Sequence, residues 1–104
     1  MGTQHYCSFE QAKRLTAVGF GWVCEKAYDD MHWCPTVALA LKWLRDEKDL
    51  YGYVGKWFYF AYTRRLSKSL EWIYDKSNFD SYEESESALL DALLTEVENE
   101  NSHG

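Results

Sequence analysis

The sequence predicts an α+β fold: a three-stranded antiparallel sheet in the order α-α-β-β-β-α, with the helices packed mainly on one face. Three observations predict it. Apolar residues recur at helical spacing near both ends of the 104-residue chain, aromatic residues alternate through the stretch from Tyr51 to Tyr74, and Gly, Pro and Thr punctuate the joins. The length suits one hydrophobic core and is short for two, so residues 1–104 are read as a single small domain with a frayed tail at 99–104.

The first helix starts at Ser8. Gln11 lies three residues later, the spacing at which a Ser side chain and a Gln side chain satisfy each other's terminal amides. Phe9, Ala12, Leu15 and Thr16 form its inward stripe, Gly19 stops it, and Phe20 is placed to fold back on Leu15 or Thr16. The next stretch, Gly21 to Cys34, has no sustained period and reads as a connection with a short extended piece around Phe20 to Cys24. Thr36 then caps a second helix from Val37 to Lys48, with Val37, Ala40, Leu41 and Leu44 on one face.

Leu50 to Val54 is short and interrupted by Gly52, as suits an edge strand, and Gly55 and Lys56 supply a reversal. The central strand follows. Trp57, Tyr59, Ala61 and Thr63 alternate with Phe58, Phe60, Tyr62 and Arg64, and Leu70 to Asp75 completes the meander. Asp80, with Glu83 three residues on, opens a last helix reaching about Val97. Its buried side is Leu89, Leu90, Leu93, Leu94 and Val97, with Ala88 and Ala92 allowing close approach.

Composition bounds the chemistry. A formal charge of -6, from 17 acidic and 11 basic residues, disfavours general polyanion binding while leaving room for a local basic patch. No apolar run is long enough to cross a bilayer and the first residues lack a hydrophobic secretion segment, so the expectation is a cytoplasmic protein away from membranes. Cys7, Cys24 and Cys34 are an odd set without a CxxC pair, which favours free structural thiols. Zinc held by Cys24, His32 and Cys34, with Cys7 or His5 as fourth ligand, and a Cys nucleophile paired with His32 are the competing readings. Neither has a recognised spacing, and the sequence assigns no metal, cofactor or catalytic residue.

Two binding surfaces follow from the aromatic stretch. Tyr51, Tyr53, Trp57, Tyr59, Tyr62 and Trp72 are candidates for contact with a protein partner or with a second copy in a homodimer, through a sheet face or the Tyr51 to Val54 edge. The alternative is a single-stranded nucleic acid stacked on exposed tyrosines, with Lys56, Arg64, Arg65 and Lys68 on its phosphates. The acidic last helix weighs against it.

Three segments carry a family resemblance: SFEQAK from Ser8, PTVALALKWLR from Pro35 and DSYEESESALLDALL from Asp80. Together they resemble a family of small uncharacterised proteins from Bacteroides-type gut bacteria and their phages or mobile elements. The resemblance implies an accessory or interaction protein of a mobile element, without an enzymatic role and with no substrate or functional residue to transfer.

Overall fold

The computed structural model describes residues 5–55, 60–64, 73–75 and 79–102. The elements run α1 (Phe9–Ala17), α2 (Val37–Lys48), β1 (Leu50–Val54), β2 (Phe60–Arg64), β3 (Ile73–Asp75) and α3 (Tyr82–Ser102).

The local rules act where they were expected at the first two helices. Ser8 Oγ accepts from the Gln11 amide at 3.1 Å, and Gln11 Oε1 accepts from the Ser8 amide at 2.9 Å, closing the capping box on α1. Gly19 takes φ +107°, a region costly for a side chain, and the Phe20 amide returns to the Leu15 carbonyl at 2.9 Å. That turn sends Phe20 into the core, where its ring meets Trp43 edge-on at 5.4 Å. Thr36 caps α2 through the Leu39 amide, and Asp49 ends it in the left-handed conformation with φ 55°.

At α3 the cap moves by one residue. Ser81 Oγ accepts from the Glu84 amide at 3.2 Å, and Glu84 reaches back to the Asp80 amide at 3.1 Å, in place of the expected Asp80–Glu83 pair. Asp80 and Ser81 can each cap a helix, and the Ser85 hydroxyl, buried and bonded to the Ser81 carbonyl at 3.0 Å, fixes the frame that uses Ser81. The helix also extends past Val97 to Ser102.

The sheet corrects the expected fold class. A meander of three full strands was expected; the developed sheet is a two-stranded antiparallel ladder, β1 with β2, in register from Leu50 opposite Arg64 to Val54 opposite Phe60. The third stretch, expected over Leu70 to Asp75, adds only the strip Ile73–Asp75 along the outer side of β2, pairing Ala61 with Tyr74. Trp57 to Tyr59 of the expected central strand and Leu70 to Trp72 of the expected third lie outside the described residues. Alternation is a property of any extended segment, so it marks which residues share a face without fixing how far a ladder runs.

The core lies between this ladder and the helices. Leu89, Leu90, Leu93, Leu94 and Val97 are all buried against α2, β1 and β2, on the side of α3 that the heptad-like spacing marks. Gly52 is the point of closest approach. A Cβ there would come within 2.7 Å of the Leu89 Cδ1, so Leu89 sits on the bare backbone of β1. In an antiparallel pair opposed residues share a face, which places Tyr62, opposite Gly52, on the α3 side and Tyr51 and Tyr53 on the reverse with Thr63 and Ala61.

The first helix is attached differently. Gln11 is buried, and its amide donates to Ser87 O and Oγ and to Asp91 Oδ1, while Arg14 reaches Glu98, Asp91 and Thr95. Phe9, expected inward, is 40% exposed and stands edge-on to Tyr28 and His32 at 5.2 and 5.6 Å. The polar contacts of Gln11 and Arg14 set the roll of α1, and that roll carries Phe9 out to the connecting stretch.

Candidate functional site

An open groove of about 340 Å³ runs between α2 and the edge strand β1, with α3 contributing part of its lining. Helix α2 supplies Ala38, Leu41, Lys42 and Arg45; β1 supplies Tyr51, Gly52 and Tyr53; α3 supplies Glu86 and Leu93. The volume lies at the lower end of the range for small-ligand sites, roughly 300–1,000 Å³.

Opposite charges face this groove. Lys42 Nζ lies 2.9 Å from Asp46 Oδ2 and Arg45 Nε 3.4 Å from Asp46 Oδ1, so two cations share one carboxylate and the α2 wall keeps an excess positive charge. Those partners hold the Asp46 carboxyl below its ordinary range, the Lys42 hydrogen bond first. Across the groove, burial pushes the Glu86 carboxyl above its ordinary range, against the opposing pull of His5 and the Tyr82 hydroxyl. The buried Nε2 of His5 makes no hydrogen bond among the described residues.

The structure divides the aromatic residues singled out in the sequence. Tyr51 and Tyr53 border the groove along the edge of β1 with their side chains on the sheet face away from α3, whereas Tyr62 is on the α3 side and donates its hydroxyl to Glu96 Oε1 at 3.2 Å. Trp57, Tyr59 and Trp72 lie outside the described residues. Of the basic set, Arg64 closes β2 opposite Leu50, while Lys56, Arg65 and Lys68 also lie outside them. Sequence reasoning missed Lys42, Arg45 and Glu86. The available signal was the i, i+3 spacing of Lys42 and Arg45 on the polar side of α2, which reads equally well as an ordinary wet face.

The connecting stretch is more ordered than its sequence pattern suggests. Ala27 bridges Trp33, the Tyr28 amide bonds the His32 carbonyl at 2.8 Å, and the Cys34 amide bonds the Lys26 carbonyl at 2.8 Å, making a small hairpin. On its other side the return strand bridges Thr36 to Tyr6, with the Cys7 amide on the Pro35 carbonyl at 2.9 Å. At the hairpin tip Asp29 Oδ1 accepts from the Met31 and His32 amides, and His32 Nδ1 lies 2.8 Å from the same oxygen. Those hydrogen bonds, the Met31 amide first, lower the Asp29 pKa.

The three cysteines meet in this layer, all of them free. Cys24 and Cys34 line one cavity of about 240 Å³ with Tyr6, Val23, Glu25, Pro35, Thr36 and Leu39. Cys7 is buried beneath the return strand, and burial, with smaller contributions from Cys34 and Cys24, pushes its thiol up to about 12. The Tyr28 hydroxyl donates to the Cys7 carbonyl. His32 is engaged with Asp29, and among the described residues no group of three His, Cys, Asp or Glu side chains is arranged to hold a metal ion.

No family model, curated protein or solved structure matches this chain. The Bacteroides or phage origin and the protein-binding role expected from the sequence are thereby corrected, since no comparison supports them. Among the described residues, no helix is long and apolar enough to cross a membrane.

Proposed function

We propose that the protein binds a small dipolar molecule in the groove between α2 and β1. The observation that carries this reading is the opposition of charge across one small cleft: Lys42 and Arg45 on one wall and the half-buried Glu86 on the other, with Leu41 and the edge of β1 at Gly52 between them. A ligand with an anionic group directed at the α2 cations, an amine or other donor directed at Glu86, and an apolar body against Leu41 satisfies all three features. Neither wall requires a chemical step, so the role is recognition.

A panel of free amino acids with aromatic and aliphatic side chains, each paired with its uncharged amide and acyl derivative, tests the reading by titration calorimetry. Saturable binding of a zwitterion is expected, weakened roughly 10-fold or more by Glu86→Gln and by Lys42→Ala combined with Arg45→Ala, as follows from losing a charge-assisted hydrogen bond of about 1.5–3 kcal/mol. Binding that is indifferent to these substitutions, or no saturable binding across the panel, overturns it.

A further inference from the structure

The cysteine cavity is separate from the α2–β1 groove, and no residue lines both. We propose that Cys24 and Cys34 are a peroxide-responsive thiol pair that closes to an intramolecular disulfide across the cavity they share. Cys7 stays outside the reaction as a packed thiol.

Backbone register brings the pair together. The Ala27–Trp33 bridge sets Cys34 opposite Lys26, confirmed by the Cys34 amide on the Lys26 carbonyl, and Cys24 lies two residues before Lys26, across the bend at Glu25. Both residues line the same cavity, which brings Cys24 and Cys34 to one small space. A disulfide needs Cα atoms about 4.4–6.8 Å apart. Residues 21–24, which belong to no helix or strand, can adjust to that spacing without breaking a ladder.

Access and chemistry select the same two sulfurs. Cys24 is half-buried and donates weakly to the Trp22 carbonyl at 3.4 Å, and Cys34, 7% exposed, lines the same open cavity. Cys7 is 1% exposed and does not line it. Burial, then Cys34, pushes the Cys24 thiol up, which slows its attack on an oxidant.

The steps balance with a hydroperoxide, ROOH. The Cys24 sulfur attacks the terminal peroxide oxygen and the O–O bond breaks, giving the sulfenic acid Cys24–SOH and ROH. The Cys34 sulfur then attacks the sulfenic sulfur, forming the S–S bond and releasing water, with the Cys34 thiol proton leaving on the departing hydroxyl. Two thiols are oxidised by two electrons and one peroxide is reduced.

The cysteines fall in three different tryptic peptides, residues 1–13, 15–26 and 27–42, so each possible link has its own mass. The full chain is treated with hydrogen peroxide, alkylated, digested without reductant and read by mass spectrometry. The expected product is a monomer with the 15–26 and 27–42 peptides joined, one alkylated thiol left at Cys7, and reversal by dithiothreitol. The same link is expected in Cys7→Ser. A link through Cys7, a link only between molecules, or oxidation of Cys24 to sulfinic acid without any link overturns the proposal.

Discussion

Helix α3 and the stretch from Phe20 to Cys34 are held by different physics, although both pack against the same core. The helix buries five aliphatic side chains, Leu89, Leu90, Leu93, Leu94 and Val97, at a spacing that leaves its other side wet. The connecting stretch inserts Phe20, rests Trp22, Cys24 and Trp33 partly buried against the core, and adds a few directed contacts: two backbone bonds across its hairpin, Asp29 Oδ1 at the tip, and the Tyr28 hydroxyl on the Cys7 carbonyl. Apolar burial is non-directional and spreads over many neighbours, whereas a hydrogen bond is lost whole when one partner leaves. The comparison teaches that an aperiodic sequence can still be ordered, provided single polar atoms are placed correctly.

The contrast breaks most visibly at Leu93. Its side chain is 1% exposed, and Leu93→Ala is expected to lower stability by about 2–5 kcal/mol, through lost transfer energy and the cavity left behind. Urea unfolding checks this, and an unchanged midpoint would remove α3 from its central role. Tyr28→Phe is a smaller change at the other region. Deleting the hydroxyl is expected to cost about 0.5–1.5 kcal/mol globally while raising amide exchange in residues 26–34 well above that of α3. Exchange that rises equally in both would show that the two regions open as one unit.

The smallest expected effect joins α1 to α3. Arg14 lies 2.8 Å from Glu98 Oε1, and its hydrogen bond holds the Glu98 carboxyl below its ordinary range. A lowered folded pKa means that the contribution is present above the ordinary carboxylate range and is lost as pH falls through the folded value. Both side chains keep about a third of their surface in water, so the effect is that of a screened pair. Arg14→Gln is therefore expected to lower the thermal midpoint slightly near neutral pH and to leave it nearly unchanged at acid pH, which flattens the acid limb; an unaltered acid limb would remove this pair from the account.

Legibility in the sequence followed the same division. Ser8 with Gln11, Gly19 before Phe20, Thr36 before Val37 and the leucines of α3 could be read because cap chemistry and helical period act within a few residues. The groove was legible only through Tyr51 and Tyr53. Glu86 reads as one more acid on a wet helical face, and its upward-shifted carboxyl depends on burial that the sequence does not display. The outward turn of Phe9 was hidden for a related reason: its helical position suits an inward stripe, but the bonds of Gln11 to Ser87 and Asp91 span more than 70 residues.

By itself, the amino-acid order determined the helix starts, the turn at Gly19 and the aliphatic side of α3, because these depend on neighbours along the chain. Tertiary structure decided the length of the sheet ladder, the one-residue shift to Ser81 at the start of α3, and the roll of α1. It also brought Lys42, Arg45 and Glu86 to one groove and Cys24 and Cys34 to one cavity. Those outcomes depend on which distant groups exclude water from one another and which polar atoms must then find partners, a competition settled only when the whole chain has packed.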